Sequence, residues 1–380
     1  MTDETPHSRS DEEAVLAAIP ADIRSALSAQ MIDVLAVQAA RAAECRDAAA
    51  RAVADQAQAG PASRENSPTP PEFVAARAEY RAERAHWNEG GPTMAQALDG
   101  RIEVGDVAVP VRIHRPTAED VLPGIVFLHG GGFSLGDLNT HERIARVIAA
   151  GSGAAVIAVD YSLSPEAVFP QALVECASVI DHLARHGEAW GIDPTRLAVA
   201  GDSAGAMLAL GAALLLRDEP ERVRADSERV RADPERVRAD PGFSSISSLL
   251  LFYGAHGLAD STSRRLFGGE WDGMGSDALA SIAAFHYATP ADAASPYVDH
   301  LGADLGGLPP TFVAAAGLDP LRDDSRALAA LLRRAGTEVE FVEYPHVLHS
   351  FLHFGRTLDE ANTALASAAD FAASHFDRRH

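Results

Sequence analysis

From about residue 101 onward the chain alternates short strand-like runs with helical stretches, and this pattern restricts the fold more than anything else in the sequence. Ile125–Leu128 and Ala155–Val159 are unbroken apolar runs, the pattern of strands buried on both faces. Leu197–Ala200, Leu249–Tyr253, Thr311–Ala315 and Val339–Tyr344 continue the series, while Arg101–Val104 and Val107–His114 alternate as the arms of a hairpin would. Helices are predicted around 141–150, 170–187, 204–217, 325–335 and 358–376. Strand and helix in turn predict an α/β protein with a mostly parallel, doubly wound, eight-stranded sheet. Ligands of such sheets sit outside the carboxyl ends of the strands, so the loops there are where chemistry is sought.

Ahead of this core, residues 1–95 read as a tail followed by helices. Residues 1–14 are polar and predicted to be disordered. From Pro20 a helix is predicted to run unbroken toward Gln58, with Ile23, Leu27, Met31, Val34 and Leu35 on one face. Gly60-Pro61 ends it, and Ser67-Pro68-Thr69-Pro70-Pro71 has the composition of a linker. A second helix spans Phe73 to Trp87 and stops at Gly90-Gly91-Pro92. The main domain is then 96–380. Within it, a seven-residue unit repeats from Pro220 to Asp240, and 218–243 is read as a surface insertion. The unit is too polar for a solenoid and too poor in apolar positions for a coiled coil.

All 32 basic residues are arginine, and the absence of lysine excludes a Schiff base, a P-loop and a Ser-Lys dyad. With 54 acidic residues the net charge is −22, which repels phosphate backbones and anionic lipid, so neither nucleic acid nor a membrane is expected as a partner. Cys45 and Cys176 form no disulfide framework or C-x-x-C pair and read as reduced thiols. The acidic start of the chain carries no secretory pattern, and the longest apolar stretch, near 206–216, is too short to span a bilayer. A cytoplasmic location is expected.

Two segments match G-x-S-x-G: Gly201-Asp202-Ser203-Ala204-Gly205 and Gly132-Phe133-Ser134-Leu135-Gly136. A nucleophile elbow needs a strand running into the first glycine and a helix starting at the serine, so that the strained turn exposes Oγ. Ser203 has the strand Leu197–Ala200 before it and a helical run after it. Ser134 lies beyond three consecutive glycines with no helix until about His141, and reads as a loop serine. The Ala204 N–H, at the new helix's first turn, would face a substrate carbonyl. His129-Gly130-Gly131-Gly132-Phe133 follows the strand Ile125–Leu128 and offers backbone N–H groups free of side chains, which is what an oxyanion hole requires.

An orienting acid and a base should follow the serine in that order. Asp319 lies in the loop after Thr311–Ala315; its rivals Asp323 and Asp324 fall where the next helix begins and read as cap acids. After the last strand, His346, His349 and His353 compete. His346 directly follows the strand, His353 is placed in the next helix, and His349 has the reach to return to Ser203. No H-E-x-x-H, Cys/His cluster, calcium loop or dinucleotide fingerprint is present, so no metal or other cofactor is expected.

These residues resemble the bacterial hormone-sensitive-lipase family of α/β-hydrolases, and within it the enterobacterial acetyl-esterase group. The resemblance rests on His129–Phe133, Gly201–Gly205, Asp319-Pro320-Leu321-Arg322-Asp323 and His349-x-Phe351, and covers about residues 70–380. Glu83-Arg84, Trp87-Asn88, the run from Asp160 to Glu166, Arg264-Arg265-Leu266 and Trp271-Asp272-Gly273 also look like that group. It implies a serine carboxylesterase acting on acetyl and other short-chain esters, with catalytic Ser203, Asp319 and His349. It also implies an oxyanion hole from Gly130, Gly131 and Ala204, no cofactor, and a helical cap built from the N-terminal helices and a second segment near 256–296. Ser350 stands where the wider family has glycine. Amide, lactone or carbamate bonds suit the same triad, and an added protein-binding role or a homodimer stays open.

Overall fold

The computed structural model describes residues 14–59, 69–104, 107–224, 241–269 and 273–377. Most of the heptad repeat and the 1–13 tail lie outside these residues. The eight strands are β1 (Gln96–Val104), β2 (Val107–Arg115), β3 (Leu122–Leu128), β4 (Ala155–Val159), β5 (Ile192–Asp202), β6 (Ile246–Phe252), β7 (Thr311–Ala316) and β8 (Val339–Tyr344). They form one sheet in the order β1-β2-β4-β3-β5-β6-β7-β8. β1 pairs antiparallel with β2 and β2 with β4; the other pairings are parallel.

The helices that matter below are α1 (Ala21–Ala26), α2 (Ala29–Ala59), α3 (Pro71–Trp87), α4 (Glu142–Ser152), α5 (Gln171–His186), α6 (Ala204–Asp218), α7 (Thr262–Phe267), α8 (Ser276–His286), α9 (Arg322–Arg334) and α10 (Asp359–His375). Side chains alternate across β3: Val126 and Leu128 enter a core with α5, α6 and α9, whereas Ile125 and Phe127 enter another with α4 and α10. Burial on both faces is why these strands carry no polar alternation. The chain runs from β3 outward to β4 and then returns to the other side of β3 as β5. That reversal sets the carboxyl ends of β3 and β5 side by side, the place where doubly wound sheets bind ligands.

The N-terminal helix is not continuous. Leu27 is extended and Ser28 starts a new helix, its Oγ accepting the Met31 N–H at 3.1 Å and its own N–H donating to the His346 carbonyl at 3.0 Å. A serine cap satisfied from a distant loop outweighs the helical periodicity that runs through it. Ile23, Met31 and Val34 still share one buried face, with Trp87 of α3. No helix among the described residues is long and apolar enough to cross a membrane.

Candidate active site

β5 runs straight into Ser203, whose φ of 52° and ψ of −119° lie outside the ordinary regions for an L-residue. Such a conformation costs on the order of 1–3 kcal/mol and persists only where its surroundings enforce it. They do so here. The Ser203 N–H donates to the Phe252 carbonyl at 2.8 Å, tying the turn to β6. A Cβ on Gly201 would be driven into the Gly205 carbonyl, and one on Gly205 into the Leu128 carbonyl of β3. Neither obstacle is a flexible side chain. Gly205→Ala is therefore expected to destabilise the fold by at least the ~3 kcal/mol upper end of ordinary overpacking, read as a fall in Tm or loss of soluble protein.

Asp319 and His349 come from the loops after β7 and β8. Those loops are stitched together: Gly317 N–H donates to Tyr344 O at 2.7 Å and Leu318 N–H to Val347 O at 3.1 Å. The His349 Nδ1–H donates to Asp319 Oδ2 at 2.7 Å, and its Nε2 accepts from Ser203 Oγ at 2.9 Å. Asp319 is fully buried, and its other oxygen takes the Leu321 N–H at 2.8 Å. The Tyr253 ring meets the His349 ring edge-on with centroids 5.0 Å apart. Three side chains far apart in sequence thus form one hydrogen-bonded chain.

The rivals lie elsewhere. His346 is exposed and bonds the Ala26 carbonyl. His353 falls in a 3₁₀ turn, Phe351–Phe354, ahead of α10 rather than inside it, and burial lowers its pKa well below the ordinary value. Asp323 and Asp324 are not helix caps. Both sit in the first turn of α9 and accept N–H groups from other segments, Asp323 from Ser263 and Asp324 from His256, Gly257 and Leu258. Ser134 sits in the turn after the glycines, and its carbonyl accepts from Arg77 Nε of α3 at 2.8 Å.

The glycine loop corrects one expectation. The Gly130 N–H is not turned toward substrate: it donates to Asp202 Oδ1 at 2.8 Å. The cavity in front of Ser203 is bordered instead by Gly131, Gly132 and Ala204, whose N–H groups meet no acceptor among the described residues. Gly131 has φ of 120°, and a Cβ there would enter the Leu135 carbonyl, so only glycine lets the loop fold this way. The cavity measures about 730 Å³, and Ile19, Met31 and Leu35 from the N-terminal segment help to line it, with Leu279 and Ile282 of α8.

Asp202, an unassigned letter in the elbow motif, was missed at the level of sequence. It is buried, accepts the Gly130 N–H and the Tyr253 hydroxyl, and lies 3.5 Å from His141 Nε2. Burial alone would raise its pKa, but His141, the Gly130 N–H and His129 together hold it below the ordinary carboxylate value. A depressed carboxylate stabilises the fold above its unfolded pKa of about 3.9, and that contribution is lost as pH falls through the folded value. Asp202→Ala leaves the Gly130 N–H without its acceptor and removes the carboxylate beside His141. We expect it to lower stability at pH 7 by about 1–3 kcal/mol, with the deficit shrinking below pH 4, in denaturant titrations at several pH values.

His141, Asp202 and His353 also present nitrogen and oxygen atoms within 4.8 Å of one another. Both Asp202 oxygens already accept protein hydrogen bonds, and the positive charge of Arg84 acts on His353. Those bonds and that charge count against a metal ion here.

Strand order, strained elbow, adjoining glycine loop and the Ser-His-Asp chain together define an α/β-hydrolase. A family described by its alpha/beta hydrolase fold matches residues 125–353. The acetyl esterase of Salmonella schwarzengrund strain CVM19633 is 38% identical over 294 residues, 77% of this chain and 84% of that protein. An esterase from Pyrobaculum calidifontis superposes with a TM-score of 0.70 at 32% identity, over 80% of this chain and 93% of that one. A thermostable carboxylesterase cloned from a metagenomic library gives 0.71 at 28% identity, over 80% and 98%. The chain belongs to the hormone-sensitive-lipase family of α/β-hydrolases and is a hydrolase.

Proposed function

We propose that this enzyme hydrolyses acetyl and other short-chain acyl esters through an acyl-enzyme formed on Ser203. The observation that carries the reading is the continuous chain from Ser203 Oγ through His349 to Asp319, at 2.9 and 2.7 Å. Its direction toward esters is supported by relatives named as acetyl esterase and carboxylesterase.

In this reading His349 Nε2 takes the Ser203 proton as Oγ attacks the ester carbonyl. Backbone N–H groups of Gly131 and Ala204, with Gly132 alongside, hold the oxyanion. His349 then gives its proton to the departing alkoxide, and water repeats the sequence on the acyl-enzyme. Asp319 keeps the Nδ1–H tautomer and stabilises the imidazolium without being protonated. Gly130 contributes indirectly, by anchoring the loop to Asp202. No cofactor enters. We further assign residues 1–95 to a tail followed by a cap segment, 256–296 to a second cap segment, 218–243 to a surface insertion and the rest of 96–380 to the hydrolase body. A cytoplasmic setting is supported by two buried free thiols, Cys45 and Cys176.

The test is hydrolysis of p-nitrophenyl esters from acetate to palmitate by the parent, Ser203→Ala and Ser134→Ala. Activity confined to short chains, lost in Ser203→Ala and kept in Ser134→Ala, is the expected result. Loss only in Ser134→Ala would overturn the nucleophile, and a parent inactive on every ester would move the reading to another scissile bond.

A further inference from the structure

We propose that the ester this site accepts best carries a carboxylate, held by Arg84 and Arg264 in the same cavity that holds Ser203. The inference rests on the hydrolytic reading above and adds a substrate class to it.

The cavity wall is largely apolar, yet two guanidinium side chains border it: Arg84 of α3 and Arg264 of α7. No Asp or Glu among the described residues does so, in a chain of net charge −22. Arg84 is only 8% exposed, and neither its Nε nor its Nη1 has a hydrogen-bond acceptor; Arg264 Nε is likewise unmet. A buried charged donor without an acceptor is costly.

Each arginine has an acid behind it, which divides its oxygens between that arginine and other groups. Glu83 Oε2 lies 3.1 Å from Arg84 Nη1 without hydrogen-bond alignment, and Glu83 Oε1 is taken by Gln38 and Trp87. Asp324 Oδ2 accepts from Arg264 Nη2 at 3.5 Å, and its Oδ1 takes three backbone N–H groups. Neither acid borders the cavity. The Arg84 guanidinium also lies over the Tyr80 ring at 4.7 Å and the Phe354 ring at 5.5 Å. That stacking fixes its plane. A largely apolar wall that carries two guanidinium groups and, among the described residues, no carboxylate offers a substrate carboxylate charge partners that a neutral ester does not use.

The carboxylate has two sources: the alcohol part, as in an acetylated hydroxy acid, or the acyl part, as in a half-ester of a dicarboxylic acid. Two matched pairs separate them, 4-acetoxybenzoate against its methyl ester and mono(4-nitrophenyl) adipate against 4-nitrophenyl hexanoate. One pair is expected to show an anionic-to-neutral ratio of kcat/KM of at least about tenfold, the scale of one charge-assisted hydrogen bond. Arg84→Met and Arg264→Met are each expected to lower that ratio about tenfold.

Binding of the same pairs to Ser203→Ala, followed by calorimetry, reads recognition without turnover and is expected to show the same preference. Anionic esters that bind and react no better than their neutral partners overturn the proposal, as does a preference that survives both arginine substitutions. If the parent enzyme hydrolyses neither member of either pair, the hydrolytic reading is overturned instead, and the calorimetric comparison still decides the carboxylate.

Discussion

Ser203→Ala is expected to lower kcat on p-nitrophenyl acetate by about 10⁶, the scale on which removing the serine or histidine of such a triad acts. The loss reports chemistry rather than misfolding, because the Ser203 side chain makes no capping bond to α6 and its exchange partner is His349 alone. Alanine also carries the same backbone cost at φ of 52°, so the strained turn is preserved. KM is expected to change little, since the cavity wall and the Gly131 and Ala204 N–H groups remain. A residual rate about 10³–10⁴ above that in water would be the share of the oxyanion donors and binding. Activity within about 100-fold of the parent, in enzyme purified free of contaminating esterases, would remove Ser203 from the mechanism.

Asp319→Asn is expected to lower kcat by about 10⁴ while leaving the fold intact. The two side chains are nearly isosteric, and the amide oxygen of the replacement can still accept the Leu321 N–H that now reaches Asp319 Oδ1. Toward His349 the relation reverses. An amide NH₂ facing Nδ1 places the imidazole proton on Nε2, where it confronts the Ser203 hydroxyl instead of receiving its proton. Neither neighbouring acid can replace it without breaking its own bonds, since Asp323 holds the Ser263 N–H and Asp324 holds three N–H groups after β6. Near-normal turnover in this variant would transfer the orienting role to one of them. A matching Tm checks that the loss is catalytic.

What could be read from the sequence follows from the range of the forces involved. Ala155–Val159 and Val339–Tyr344 coincide with β4 and β8 because turn or polar residues bracket them closely, Gly153 and Asp160 around the first and Gly336 and Pro345 around the second. β5 extends past its apolar run to Asp202, since the elbow keeps the chain extended through Gly201. The break at Ser28 was hidden because the acceptor of its N–H is the carbonyl of His346, in a different part of the chain. The same holds for the glycine loop: nothing local to Gly130 announces that a carboxylate at Asp202 claims its N–H. Asp323 and Asp324 read as caps because they open a helix, whereas their partners, after β6 and at Ser263, are set by the tertiary fold. Ser350 takes the left-handed conformation that favours glycine, φ of 61°.

The tie between the N-terminal helices and the last loops has a consequence for the order of assembly. The Ala26 carbonyl meets His346 across 320 residues, and the Gln30 side chain meets Asp359 across 329. Closing so large a loop adds little to the equilibrium cost, because that cost grows only logarithmically with length. Kinetically it matters more, since contacts of such long range form late. During synthesis α1 and α2 can meet α3 early, but the loops that hold His346 and Asp359 emerge more than 300 residues later, so the apolar face of Ile23, Met31 and Val34 is only partly covered in the meantime. The segment that helps to line the substrate cavity is made long before the loops that fix it and is among the last to settle.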